Sequence, residues 1–94
     1  MRLNAGAADR TAFARRFDVC VIGAGPAGIT VARRAAAHGL SVALMEAGDA
    51  EFTVESQEVY EGALLGQDYF PLDVARLRFL GGSSNHWAGW CRAL

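Results

Sequence analysis

The sequence contains little of what several classes of protein require. Two cysteines, Cys20 and Cys91, are too few for the disulfide framework of a small secreted domain. The net charge is −1 with scattered basic residues, so no nucleic-acid surface is predicted. No apolar stretch is long enough to span a membrane, and residues 1–17 lack the apolar block of a signal peptide. We therefore expect a cytoplasmic protein without a membrane segment.

The apolar residues that are present follow the pattern of a βαβ unit. Asp18–Ile22 is a short apolar run typical of a strand buried on both faces, which makes Cys20 a small buried residue. Pro26–His38 has helical periodicity and stops at Gly39, and Ser41–Met45 is a second apolar run. The predicted fold class is α/β, a Rossmann-like fold whose parallel sheet is incomplete in this chain.

The predicted helix has one face of small residues, which allows its axis to approach the sheet closely. That face consists of Gly28, Val31, Ala32 and Ala35. His38, next to the helix end, is interpreted as a capping or surface residue. No group of His, Cys, Asp and Glu has the spacing of metal ligands, so no metal site is predicted.

A glycine motif joins the first strand to the helix. Gly23, Gly25 and Gly28 match G-x-G-x-x-G, in which the first glycine permits the turn, the second admits a pyrophosphate and the third allows helix–strand packing. The helix N-terminus adds free N–H groups and partial positive charge. The predicted phosphate-binding turn comprises Gly23, Ala24, Gly25, Pro26, Ala27 and Gly28.

Glu46 ends the second strand about twenty residues after the glycines, where a carboxylate can accept hydrogen bonds from both ribose hydroxyls of an adenosine. With its neighbour Ala47 it extends the predicted site. A carboxylate there would repel a 2′-phosphate, which disfavours NADP. A solvated acid at a strand end is the alternative interpretation. Glycines and Glu46 together indicate an adenine dinucleotide without separating FAD from NAD.

A long excursion, residues 48–75, precedes a second glycine loop, residues 78–90. The excursion has weak periodicity, with a short helix predicted over Ser56–Leu64, and either a functional or an incidental insertion fits it. Arg76 and Arg78 are candidates to pair with phosphate or with the acidic excursion. The loop offers bare N–H groups and hydroxyls, which suit a longer cofactor held at two places. Its predicted cofactor-binding residues are Arg78, Gly81, Gly82, Ser83, Ser84, Asn85 and His86.

Three segments resemble the glucose–methanol–choline oxidoreductases, and most closely their pyranose oxidase-like and sugar dehydrogenase-like branch. They are Asp18–Thr30, Leu44–Gly48 and Arg78–Trp90, and the third is the most specific. The resemblance implies residues 1–17 as an N-terminal extension and 18–94 as the N-terminal part of an FAD-binding domain. It also implies FAD as cofactor and hydride transfer from a CH–OH group of an alcohol or sugar.

The resemblance implies further expectations about chemistry. The family's catalytic base lies near its C-terminus and has no counterpart here, so we expect no catalytic residue in this fragment. His86 matches a histidine that one branch links covalently to flavin; a non-covalent flavin contact and a purely structural role are the alternatives. Trp87 and Trp90 could shape the flavin pocket or simply pack. The electron acceptor (oxygen, quinone or cytochrome) is not indicated.

Two other functions fit the first two motifs. One is a flavoprotein of another class, such as a hydroxylase or amine oxidase. The other is a non-catalytic, truncated dinucleotide-binding module. Because only two strands are predicted, we expect the isolated chain to be marginally stable or prone to aggregation.

Overall fold

The computed structural model describes residues 1–8 and 10–86. Trp87, Trp90 and Cys91, and with them the end of the predicted second loop, lie outside the described residues. The regular elements are a 3₁₀-helix Arg10–Phe13, strand β1 Val19–Ile22, helix α1 Pro26–Ala37, strand β2 Val42–Met45, helix α2 Val54–Gln57, a 3₁₀-helix Glu58–Tyr60, helix α3 Leu72–Ala75 and a 3₁₀-helix Gly82–His86. Within the described residues, no helix has both the length and the apolar character needed to cross a membrane.

Strands β1 and β2 form a parallel two-stranded sheet, with Val19 opposite Val42 and Ile22 opposite Met45. Parallel neighbours require a crossover connection, and α1 provides it. The structure therefore confirms the predicted α/β class and the Rossmann-like βαβ unit. All three predicted elements are present, each within one residue of its expected bounds.

Asp18 and Ser41 fasten the beginnings of the two strands to each other. The Ser41 N–H and hydroxyl donate to Asp18 Oδ2 at 2.8 and 2.5 Å, while the Asp18 N–H donates to the Ser41 carbonyl at 3.0 Å. The hydrogen bonds from the Ser41 side chain and backbone hold the pKa of the Asp18 carboxyl below its ordinary value. These contacts pair the backbone at the point where the sheet begins.

Only one face of the sheet is covered within the described residues. Val19 and Val21 are half-buried on the face that α1 contacts, whereas Cys20 is exposed and Ile22 is 86% exposed on the opposite face. The prediction of a strand buried on both faces, with Cys20 in the core, is therefore wrong for this chain. On the open face the Cys20 thiol lies 3.6 Å from the sulfur of Met45.

Helix α1 packs through a face close to the predicted one. Gly28, Ala32 and Ala35 are half-buried, but Val31 is 54% exposed and Ile29 is half-buried instead. The packed stripe is thus turned toward Ile29, which leaves Val31 at its margin. His38 is the exposed C-cap residue, with its Nδ1 2.8 Å from the Arg34 carbonyl, which confirms the capping interpretation.

Candidate dinucleotide-binding site

The first glycine turn leaves β1 in a conformation that two of its glycines enforce. Gly23 has a φ of +97°, a region that residues with a Cβ rarely adopt, and its N–H donates to the Met45 carbonyl at 2.7 Å. A Cβ placed on Gly28 would lie 1.9 Å from the Gly23 carbonyl oxygen. The turn and the close helix–strand contact therefore both depend on glycine.

Gly25 is different because nothing within the fold requires it to be a glycine. Its φ of −76° is allowed for any residue, and a Cβ built there would meet no atom of residues 1–8 and 10–86 within 4 Å. It lines an open cavity beside the turn. The space a Cβ would fill is therefore available to a ligand, which fits the close approach of a pyrophosphate to the backbone.

The N-terminus of α1 is suited to an anion. Its N-cap residue is Gly25, which has no side chain to cap the first turn. That turn contains Pro26 and no acidic residue. The N–H groups of Ala27 and Gly28 have no intrahelical acceptor in such a turn. Free donors and the positive end of the helix dipole therefore meet beside the cavity.

Glu46 connects the glycine turn to the loop that follows β2. Its Oε2 accepts a hydrogen bond from the Ala24 N–H at 2.7 Å, and its Oε1 accepts one from the Gly48 N–H at 2.9 Å. A carboxylate oxygen has a second acceptor position, so the group retains capacity for ribose hydroxyls. The solvated-acid interpretation is wrong, because the carboxylate holds two backbone segments together.

The two glycine-rich segments, far apart in sequence, meet in the structure. The Gly81 N–H donates to the Ala24 carbonyl at 2.8 Å, and a Cβ on Gly82 would lie 3.7 Å from the Gly25 Cα. In the second segment Gly81 has a φ of +90°, and Gly82, where the 3₁₀-helix begins, has a φ of +55°. Both glycine loops thus border one cavity.

Gly48 makes this meeting possible and was not singled out from the sequence. A Cβ at Gly48 would lie 2.1 Å from the Arg78 carbonyl oxygen, which is a backbone atom. Beside it, Asp49 and Phe79 form an isolated parallel bridge, with the Leu80 N–H donating to the Asp49 carbonyl at 2.9 Å. In the sequence, the signal that could have predicted this close contact between two backbone segments was a glycine, Gly48, two positions after Glu46.

Side chains, rather than a neighbouring strand, hold the segment 76–78. The buried Gln57 donates through Nε2 to the carbonyls of Asp73 and Arg76, both at 2.6 Å, and accepts from the Arg78 N–H at 3.1 Å. Ser83 Oγ accepts from the Leu77 N–H at 3.2 Å. Gln57 thereby positions the second glycine loop.

Gln57 belongs to a helical segment whose predicted bounds, Ser56–Leu64, are wrong. Helical structure starts at Val54 and ends at Tyr60. The start is set by Thr53, whose Oγ1 caps the first turn by accepting a hydrogen bond from the Ser56 N–H at 3.2 Å. The capping residue shifts the start of the helix by two positions.

Arg78 is tied to α2. Its Nη1 donates to Ser56 Oγ at 2.9 Å, and the Ser56 hydroxyl donates to the Arg78 carbonyl at 2.9 Å. Of the alternatives from the sequence, pairing with the excursion is therefore the one observed, but the partner is the neutral Ser56 and not an acidic residue. The guanidinium still borders the cavity.

The cavity has a volume of about 370 Å³. Pockets for small ligands and cofactors fall roughly between 300 and 1,000 Å³. The predicted site residues that line it are Gly23, Gly25, Glu46, Ala47, Arg78, Gly82 and Ser83. Its other lining residues are Arg76, which the sequence offered as a candidate phosphate partner, and four that were not predicted: Ile22, Tyr60, Leu77 and Phe79.

The remaining predicted residues lie around the cavity without lining it. They are Ala24, Pro26, Ala27, Gly28, Gly81, Ser84, Asn85 and His86. Ser84 Oγ and Asn85 Nδ2 donate to carbonyls of their own loop, those of Gly81 at 2.6 Å and Gly82 at 2.9 Å, and so stabilise it. His86 is exposed at the end of the 3₁₀-helix. Residues 1–8 and 10–86 contain no cluster of three potential metal ligands.

Comparison with known proteins identifies the family. No curated protein and no solved structure matches the chain. The family model described as pyridine nucleotide-disulphide oxidoreductase matches residues 17–71, which include β1, the glycine turn, α1, β2 and Glu46. Members of this family bind FAD or NAD(P). Since the match covers more than half of the residues, the chain belongs to the pyridine nucleotide-disulphide oxidoreductase family of flavoprotein-type oxidoreductases.

Proposed function

We propose that this chain is the FAD-binding part of a flavin-dependent oxidoreductase of the glucose–methanol–choline type, acting on CH–OH groups of an alcohol or sugar. The observation that supports the proposal best is the junction of the two glycine loops, where the Gly81 N–H donates to the Ala24 carbonyl. An NAD-binding Rossmann domain would continue after the second strand with further alternating helices and strands, and not with a second glycine loop. A second loop on the same cavity suits a longer cofactor.

The proposal gives the described residues binding roles. The diphosphate would lie against the turn Gly23–Gly28 and the N-terminus of α1, and Glu46 would accept the ribose hydroxyls. The loop from Gly81 to Asn85 would contact the cofactor with N–H groups and hydroxyls, beside Ala47 and Arg78. Bound FAD would supply a ring that accepts a hydride. Residues 1–17 are then an extension, and residues 18–94 form part of the FAD-binding domain.

His86 is the residue in this proposal whose role has most alternatives. It is exposed, and it belongs to the same loop as Gly82 and Ser83, which line the cavity. His86 itself does not line the cavity. An exposed imidazole is sterically free to reach a flavin lying over the loop, either by a covalent bond or by a contact. A purely structural role is the third alternative, and acid precipitation of the flavin-loaded protein separates the first from the other two.

One observation favours a second candidate. The family match ends at residue 71, before the segment that resembles the glucose–methanol–choline enzymes. Another class of flavoprotein, such as a hydroxylase or amine oxidase, shares the matched part. A non-catalytic dinucleotide-binding module also shares it, and would prefer ADP or NAD to FAD.

The test is a comparison of FAD with NAD and ADP. We expect the purified chain, mixed with FAD and freed of excess, to retain the yellow visible spectrum. NAD should displace the flavin weakly, because it engages the first loop alone. Yellow colour in the pellet after acid precipitation, lost in His86→Ala, would indicate a covalent link. A colourless protein that binds ADP and NAD but not FAD would contradict the flavin proposal.

A further inference from the structure

The charged side chains around the cavity differ in how many hydrogen bonds they make within the fold. Both Glu46 oxygens accept backbone hydrogen bonds, and the Arg78 guanidinium donates to Ser56. Arg76 also lines the cavity, but within residues 1–8 and 10–86 its guanidinium has no polar partner. Among the described residues, Arg76 is therefore the lining cation whose side chain the fold leaves without a hydrogen bond.

The backbone of Arg76 is fixed although its side chain is free. Its carbonyl accepts from Gln57 Nε2 at 2.6 Å, and its N–H donates to the Leu72 carbonyl at 3.0 Å. The next residue, Leu77, is held by Ser83 of the second loop. A long side chain thus starts from an anchored position at the rim of the cavity, so less freedom is lost when it binds.

The ligand that this arrangement fits carries negative charge beside an adenosine. The α1 N-terminus offers neutral N–H donors and a partial charge, which do not neutralise a diphosphate that carries two negative charges. Arginine pairs with phosphate oxygens through two parallel hydrogen bonds and keeps its charge at every physiological pH.

We infer that Arg76 binds the diphosphate of the dinucleotide, opposite the N-terminus of α1. The inference rests on the proposed function, because it assumes a dinucleotide in this cavity. It assigns a binding role to the short link between the excursion and the second loop: Arg76 brings a full positive charge to the phosphates that the first loop contacts through backbone N–H groups.

The test compares nucleotides with and without a diphosphate by titration calorimetry on the full chain. Arg76→Gln should weaken ADP binding about tenfold or more, because it removes a charge-assisted hydrogen bond to the diphosphate. Adenosine, which has no phosphate, should bind the variant as it binds the unaltered chain. Arg76→Lys should retain part of the ADP affinity, because it keeps the charge but loses the bidentate geometry.

Arg33→Gln is the matched control, since Arg33 is an exposed arginine of α1 outside this cavity and its loss changes the net charge equally. It should leave ADP affinity unchanged. The exposed Arg76 side chain has no polar partner in the described part of the chain, so its replacement should not unfold the protein. If the variant is partly unfolded, its apparent affinities for ADP and for adenosine fall by the same factor. The ratio of the two affinities therefore still reports on the phosphate contact.

Three results would overturn the inference. Unchanged ADP affinity in Arg76→Gln, or an equal loss for ADP and adenosine, would exclude a phosphate contact. Adenosine 2′,5′-bisphosphate is titrated as a third ligand. If Arg76→Gln weakens the binding of this ligand alone, Arg76 contacts the ribose 2′ position and not the diphosphate. If the unaltered chain binds neither ADP nor FAD, the proposed function fails as well; if it binds both and only the variant result differs, the inference alone fails.

Discussion

The βαβ unit, residues 18–47, and the segment that follows it, residues 48–86, are built by different kinds of hydrogen bond. In the first, backbone groups pair with each other along β1, β2 and α1. In the second, backbone hydrogen bonds form only short turns and one isolated bridge within the described residues, and side chains such as Gln57 and Ser83 join these pieces. A backbone that pairs with itself tolerates many sequences, whereas one that pairs with particular side chains depends on each of them.

The largest effect should come from Gly28→Ala, which acts on the first region. The added Cβ would meet the Gly23 carbonyl oxygen at 1.9 Å, so helix and strand must separate. Overpacking costs roughly 1–3 kcal/mol and more when backbone must move, a large part of the stability of a small domain. We expect loss of the helical far-UV circular dichroism signal. Retention of a native melting curve would show that α1 can shift without cost.

Gly48→Ala should disrupt the second region and spare the first. Its Cβ would meet the Arg78 carbonyl oxygen at 2.1 Å, which separates the bridge between Asp49 and Phe79. Hydrogen exchange should speed up at the Leu80 and Gly81 amides and stay slow in the centre of α1. Equal acceleration in both places would mean that the two regions unfold as one.

Gln57→Leu should destabilise the second region by a smaller amount. The leucine leaves the Arg78 N–H and the carbonyls of Asp73 and Arg76 without their partner. An unsatisfied buried group costs about 1–3 kcal/mol, part of which water can recover here. Urea denaturation measures the loss, and Glu58→Leu, at an exposed neighbour, is the control. An equally stable Gln57→Leu would contradict the role given to this side chain.

Gly25→Ala should leave stability almost unchanged and reduce ligand affinity. Gly62→Ala is its matched control, because a Cβ at either position meets no atom within 4 Å and neither residue has a positive φ. Only Gly25 lines the cavity. We expect the ADP dissociation constant to rise about tenfold for Gly25→Ala alone, equivalent to about 1.4 kcal/mol. Equal affinities for both variants would move the diphosphate away from this turn.

Asp18 should give the smallest effect, and one confined to acidic pH. Its pKa is lowered in the folded chain, so its contribution to stability is present above its ordinary, unfolded pKa and is lost as pH falls through the lower folded value. The melting temperature of Asp18→Asn should lie below that of the unaltered chain at neutral pH, and the difference should shrink in acid. Asp68→Asn, at an exposed carboxylate, should show no such convergence.

The sequence was informative where a periodic or spaced pattern corresponds to one backbone geometry. Apolar runs and the spacing of Gly23, Gly25 and Gly28 predicted the βαβ unit to within a residue. The same patterns misplaced Cys20 and Val31, because burial depends on which surfaces are covered and a local run does not contain that information.

The candidate site was only partly predictable for a related reason. Gly81 and Gly82 were identified from composition, but their contact with Ala24 and Gly25 is long-range and left no local pattern. Gln57 was missed as a site residue because a polar residue in an aperiodic segment reads as solvent-exposed until its partners are known. Arg76 was named only as a candidate partner for phosphate or for the excursion, without a place in the site. The cofactor-binding roles of the predicted residues stay predictions that the experiments above can test.

The two backbone hydrogen bonds of Ala24 have a consequence for how the protein folds. Its N–H bonds to Glu46 within the βαβ unit, and its carbonyl bonds to Gly81, much farther along the chain. The entropy lost on closing a loop grows with its length, so the nearer contact closes at lower cost. We therefore expect the second glycine loop to dock onto a βαβ unit that is already formed, so that the binding cavity is completed last during folding.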